Sequence, residues 1–144
     1  MIAVDTNILV YAYTAHSDFN GRASGALRDL VGRGHPWGIP WPCVHEFLSV
    51  MSNPKIQTGA PSMLSLIELL GDLTLRANAS CIGESPLHLR TLRDLASQGA
   101  VRGGQVHDAR IAAICLDHSV QELWTADRDF SRFPRLKTRN PLVS

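Results

Sequence analysis

Little in this sequence marks it for export, for a membrane or for disulfide bonding. No apolar run approaches the ~18 residues a spanning helix needs. The N-terminus lacks a basic n-region, and Asp5 interrupts its apolar stretch, which argues against reading it as a secretory signal and makes the cytoplasm the expected location. Cysteine is scarce: Cys43, Cys81 and Cys115 are odd in number, widely spaced and set among apolar neighbours, as reduced core thiols are and disulfide or zinc ligands are not. Charge of either sign is not in excess. Fourteen basic against 13 acidic residues leave +1, so no bulk attraction draws the chain to a polyanion. Repeats and low-complexity tracts are missing too. A 44% hydrophobic, 19% charged composition over 144 residues fits one compact domain spanning 1–144.

The most informative stretch is the first dozen residues, MIAVDTNILVYA. Ile2 to Val4 form a short apolar run without alternation, as in a strand buried on both faces of a parallel sheet. Asp5, Thr6 and Asn7 follow, all residues that favour turns and helix N-caps, and Ile8 to Tyr13 resumes an apolar pattern. Asp5 therefore stands where a strand ends and a helix begins. In open α/β sheets that edge is the ligand crevice, so the acid there either caps the helix or does chemistry.

Downstream, strands and helices alternate. Phe19 to Arg33 carries Ala23, Ala26, Leu27, Leu30 and Val31 on one helical face and ends near Gly34. Trp37 to Ile39 reads as a second strand, and Pro42 opens a helix whose stripe is Val44, Phe47, Leu48 and Met51, with Glu46 off it. A loop precedes a helix capped by Ser62, with Met63, Leu66, Ile67, Leu70 and Leu73 as its apolar face. Ala79 to Ile82 is a third strand. Ser85 as N-cap and Pro86 at N1 open a helix to about Gln98. Another helix from Val106 turns Ile111, Ala112 and Cys115 to the core, with Asp108 one turn earlier on much the same face. Leu123 and Trp124 form a fourth strand, and Leu136 to Thr138 an edge strand. This alternation predicts a parallel sheet of about five strands between helical layers.

Four acids recur at one edge of that sheet: Asp5, Glu46, Asp108 and Asp127. Singly, each has a plain reading as cap, solvated residue, dipole partner or turn former. Together they strain that reading, since two carboxylates ~5 Å apart repel by about 3 kcal/mol at an effective dielectric of 20. A hard divalent cation would offset the repulsion. All-oxygen donors suit magnesium or manganese, whereas zinc would recruit Cys or His. Positive charge is also unevenly spread: Arg128, Arg132, Arg135, Lys137 and Arg139 face only Asp129 in the C-terminal stretch, a local excess able to meet phosphates. Histidines 45 and 107 adjoin Glu46 and Asp108, but helical neighbours diverge by about 100°, so adjacency argues against a shared site.

The segments VDTNILVYA, PCVHEFLSV, HDARIAAICLDHSV and WTADRDFSRFP, in this order and spacing, resemble the PIN-domain ribonucleases, specifically the VapC toxins of bacterial toxin–antitoxin pairs. The resemblance implies a PIN-like α/β/α sandwich and magnesium-dependent (or manganese-dependent) endonucleolytic cleavage of single-stranded or looped RNA, such as transfer or ribosomal RNA. It also implies a VapB-type antitoxin partner and homodimerisation. It places catalysis on Asp5, Glu46, Asp108 and Asp127, with Asp5, Asp108 and Asp127 toward the metal. Asn7 and Thr125 match supporting positions, and Asp129 matches a further acid of the last motif. Arg110, Arg128 and Arg132 are the arginines assigned to RNA. In this mechanism a metal-held water attacks phosphorus while Glu46 or Asp127 accepts its proton. Residues 54–78 would form the variable, dimer-forming part.

Two rival readings remain open at this level. A phosphatase or phospho-acceptor domain would use Asp5 as nucleophile, yet it wants an acid where Asn7 stands and a lysine by the phosphate, and only Lys55 and Lys137 exist. A non-catalytic RNA- or partner-binding PIN domain would have lost some of the acids, and here none is missing.

Overall fold

A computed structural model describes residues 1–143. Five strands, β1 (Ile2–Val4), β2 (Trp37–Pro40), β3 (Ala79–Ile82), β4 (Glu122–Trp124) and β5 (Thr138–Arg139), form one all-parallel sheet in the order β3-β2-β1-β4-β5. The helices are α1 (Thr6–Ala12), α2 (Asn20–Gly32), α3 (Trp41–Ser52), α4 (Met63–Arg76), α5 (His88–Gln98) and α6 (Val106–Asp117). The chain steps outward from β1 to β2 and β3, then crosses back to β4 and β5 on the other side. With right-handed crossovers, that reversal puts α1 to α4 on one face and α5 with α6 on the other. The packing follows this division, α1 lying against α2 and α3, α3 against α4, and α5 against α6. The result is the expected α/β/α sandwich.

The three central strands β1, β2 and β4 are buried almost throughout, with only Ile2 and Glu122 partly exposed, whereas β3 is buried at its two ends and β5 is exposed. Ala3, Val4, Ile39, Leu123 and Trp124 are at most 1% exposed and meet Ile8, Leu9 and Phe47 of the helices in a single core. Wholesale burial is why these runs show no alternation. Gly34, just past α2, takes a left-handed φ of +71° that a side chain would strain, which lets the chain turn back into β2.

Four sequence-based expectations need correction. α5 begins at His88, not at Ser85. The Ser85 hydroxyl accepts from the Leu87 amide (3.0 Å) and donates to Asp117 Oδ2 (2.7 Å), so it builds a turn and ties that turn to the end of α6. The edge strand lies two residues later than expected, because Leu136 is drawn into the core at 4% exposure and pairing resumes at Thr138. On α4 the stripe is narrower than its periodicity: Leu66 and Leu70 are buried, but Met63 and Ile67 are 45% and 49% exposed. Helical spacing tells which residues share a face and not what covers it. Cys43 and Cys115 are buried as expected, whereas Cys81 is only half-buried.

Candidate active site

β1 and β4 are adjacent, and the chain leaves them for opposite faces of the sheet, so a crevice opens beyond their C-terminal ends. Asp5 follows β1 there, and Thr125 follows β4. The Asp5 amide donates to the Trp124 carbonyl (2.9 Å), so the last ladder bond sets the carboxylate at the crevice. Asp5 is also the N-cap of α1, its Oδ1 accepting from the Thr6 amide at 2.8 Å. Capping and chemistry are thus not exclusive readings of this residue.

Asp5 is 5% exposed, and four donors surround it. Beside the Thr6 amide, Oδ1 receives the Cys43 thiol (3.3 Å), while Oδ2 receives the Thr125 hydroxyl (2.7 Å) and Asn7 Nδ2 (3.3 Å). Thr125 also accepts from the Asp127 amide (3.0 Å), and Asn7 Oδ1 accepts from the Ala126 amide (3.1 Å). The start of α1 and the loop after β4 are therefore laced together through one hydroxyl and one carboxamide. Burial nevertheless raises the Asp5 carboxyl above its ordinary range, an effect the bonds from Thr125, Thr6 and Cys43 oppose.

The other acids come from three further elements. Asp108 lies in the first turn of α6, and Glu46 is exposed on α3. Asp127 caps a short 3₁₀ turn, Arg128–Arg132, by accepting from the Asp129 amide (2.8 Å). Asp5, Asn7, Glu46, Asp108 and Asp127 line one cleft of about 260 Å³. Asp108, Asp127 and Asp129 can each offer one carboxylate oxygen, all within 4.8 Å of one another. Asp129 thus stands beside Asp127 in the oxygen cluster. Desolvation, then repulsion from Asp127, Asp5, Asp129 and Glu46, pushes Asp108 up to about 6. Desolvation and the Asp5 charge likewise raise Glu46, with Thr6 and His107 pulling the other way. His107, exposed on α6, acts on Glu46 only through its charge and is not among the residues lining the cleft. His45 turns away, its Nδ1 2.9 Å from the Trp41 carbonyl oxygen.

The arginines divide. Arg110 Nε is held by Glu84 at 2.6 Å, and Arg132 donates to the Gly99 carbonyl at 3.3 Å. Arg128, exposed beside Asp127, makes no ion pair among the described residues. Neither lysine lines the cleft, and Lys137 is paired with Glu122 at 3.3 Å. A phosphatase would need one there. The part of Cys43 in the site was missed because a small buried thiol looks like core. The available signal was its spacing, three residues before Glu46 and so one turn back on the same helix.

Residues 2–136 match the family described as PIN domain. The chain belongs to that family, and within it sits among the VapC ribonucleases. Ribonuclease VapC43 of Mycobacterium tuberculosis is 32% identical over 146 residues, covering 99% of this chain and 96% of the relative. Two solved structures share the fold. VapBC2 from Rickettsia felis, bound to a DNA fragment from its promoter, matches with a TM-score of 0.68 at 23% identity over 97% of this chain and 98% of the other. VapC20 of Mycobacterium tuberculosis, described as a sarcin-ricin loop cleaving toxin, matches with a TM-score of 0.63 at 16% identity, covering 91% and 93%.

Proposed function

We propose that this chain is the toxin of a VapBC-type pair, a cytoplasmic endoribonuclease that hydrolyses RNA phosphodiester bonds at the acid cleft with magnesium or manganese. The carrying observation is the oxygen cluster of Asp108, Asp127 and Asp129 beside Asp5 at the sheet's switch point. Its donors are all oxygen, and the residues lining the cleft include neither cysteine nor histidine, which suits a hard cation better than zinc. When bound, such an ion supplies positive charge to phosphate oxygens and acidifies water. Asp108, Asp127 and Asp129 would hold it, and Asp5 fixes the cleft's inner wall. Glu46, exposed across the cleft with its carboxyl raised above its ordinary range by desolvation and the Asp5 charge, takes the proton from the attacking water. That leaves Asp127 to the cation.

The substrate class is RNA whose backbone can bend into a narrow notch, hence single strands and loops of transfer or ribosomal RNA rather than regular duplex. Arg128, free beside Asp127, is the first candidate to meet a phosphate. Arg110 and Arg132 would have to leave Glu84 and Gly99 to join it. A VapB-type antitoxin fits the apolar groove of about 560 Å³ between α1, α2 and α4, where Tyr13, Leu27, Val31 and Leu73 would receive an amphipathic helix. Exposed Met63, Leu64 and Ile67 on α4 offer a surface for a second copy. No helix among the described residues is long and apolar enough to cross a membrane.

Product ends test the chemistry. Direct attack of water on phosphorus expels the 3′-oxygen, so cleaved RNA should carry 5′-phosphate and 3′-hydroxyl ends, mapped by ligation with and without phosphatase. Fragments with 2′,3′-cyclic phosphate and 5′-hydroxyl ends would overturn the mechanism and redirect attention to His107.

A further inference from the structure

Of the four donors on Asp5, three come from the first turn of α1 and the loop after β4: the Thr6 amide, Asn7 and Thr125. The fourth comes from a different element. Cys43 lies in the first turn of α3, is fully buried, and points its thiol at Asp5 Oδ1 from 3.3 Å. Its carbonyl receives the Thr6 hydroxyl at 3.5 Å, so side chain and backbone of one residue both engage the Asp5–Thr6 corner. One turn further along α3 is Glu46. The helix that carries Glu46 into the cleft is therefore tethered to the carboxylate at the end of β1 through Cys43.

We propose that Cys43 is a positioning residue for RNA hydrolysis: its S–H fixes the rotamer of Asp5 and holds α3, and with it Glu46, in register with the cleft. The inference rests on the nuclease reading above. A thiol is a weak donor. Here it acts by direction, aimed at Oδ1 from a buried helix, so a hydroxyl in the same place would orient the carboxylate as well. Deep burial keeps the sulfur protonated and out of reach of oxidants, which makes a redox role unnecessary to explain it. A residue that merely filled the core would serve equally well as valine.

The test uses the full chain and the variants Cys43→Ala, Cys43→Val, Cys43→Ser and Asp5→Asn. The infrared S–H stretch of Cys43, isolated as the difference between wild type and Cys43→Ala, should be displaced from an unbonded thiol and should move back toward it in Asp5→Asn. This readout needs neither metal nor RNA. In manganese-supported cleavage, Cys43→Ala and Cys43→Val should both lose about 10-fold in kcat with KM for RNA nearly unchanged, the size expected for one lost bond to a charged group. Cys43→Ser should recover most of the loss. A Cys43 band at the unbonded position, or wild-type kcat in both the Ala and Val variants, would overturn the proposal. Absence of cleavage by the wild type would instead strike at the nuclease reading, and the infrared band would still report on the thiol–carboxylate bond.

Discussion

The acid cleft has two halves built on opposite principles. On one side Asp5 is buried, and protein donors meet both its oxygens. On the other, Asp108, Asp127 and Asp129 bring carboxylate oxygens within 4.8 Å of one another, and the protein donor seen on this trio is the Asp129 amide on Asp127. The first half is assembled by folding itself. Its hydrogen bonds join β1, α1, α3 and the loop after β4, so the site's geometry is part of the fold's own stability. The second half is the reverse: desolvation, and then repulsion from the neighbouring acids, pushes the Asp108 carboxyl up to about 6. Protein bonds satisfy one half, and in the function proposed above a cation would satisfy the other. Substitutions in the two halves should therefore move activity together and stability apart.

The largest effect is expected for Asp108→Asn. Removing one charge from the oxygen cluster should cost cleavage ~10³-fold or more, because electrostatic stabilisation of the reacting phosphate is lost. The metal-free variant should nonetheless melt above the metal-free wild type, since a repulsive charge has gone. Cleavage at the wild-type rate, measured on a defined RNA, would remove Asp108 from the site. A lowered melting temperature would break the contrast between the halves.

Thr125→Val should reverse the stability sign. Its hydroxyl donates to Asp5 at 2.7 Å and accepts from the Asp127 amide at 3.0 Å, so valine leaves buried Asp5 Oδ2 only the longer bond from Asn7 (3.3 Å) and strands the amide. We expect a stability loss of ~2–3 kcal/mol, read by denaturant titration, together with a fall in cleavage of roughly 10- to 100-fold. Unchanged stability in this variant would mean that the bonds around Asp5 are replaced by water without cost.

How much of this was legible in the sequence follows the same division. Asp5 and the strand before it could be read directly, because an apolar run ending in Asp-Thr-Asn is a local signal. β3 was likewise placed at Ala79–Ile82, a short run whose two ends, Ala79 and Ile82, are the buried positions. The tertiary half was not local. Nothing near Cys43 announces that its thiol reaches a residue 38 positions away, and nothing near Ser85 announces that its hydroxyl bonds Asp117 rather than capping a helix. Asp127 and Asp129 sit two residues apart on a 3₁₀ turn, whose tight pitch lets both reach the cluster, whereas sequence spacing left their roles undivided. The exposed faces of Met63 and Ile67 belong to the same class, because periodicity fixes a face and tertiary structure decides its cover.

The smallest expected effect, and the sharpest on sign, is the pH dependence of the metal-free protein. Asp108 titrates near 6 in the folded chain against an ordinary 3.8, and Asp5 and Glu46 are raised too. A carboxyl whose folded pKa is raised binds its proton more tightly in the native state. Its contribution therefore makes the protein more stable when protonated, and that advantage is lost as pH rises from about 4 through about 6. Glu84 works oppositely: its bond with Arg110 lowers its carboxyl, so its stabilisation fails only in more acidic solution, below its ordinary 4.5. Between pH 5 and 7.5 in EDTA the wild type should thus lose melting temperature more steeply than Asp108→Asn. Millimolar magnesium should cancel or invert the slope, because the ion binds the ionised, folded cluster and scarcely binds the unfolded chain. The EDTA and magnesium curves should converge toward pH 5, where protons occupy the site instead. Parallel slopes for wild type and Asp108→Asn in EDTA, or a magnesium shift as large at pH 5 as at 7.5, would show that the open half of the cleft carries no stored repulsion for a cation to relieve.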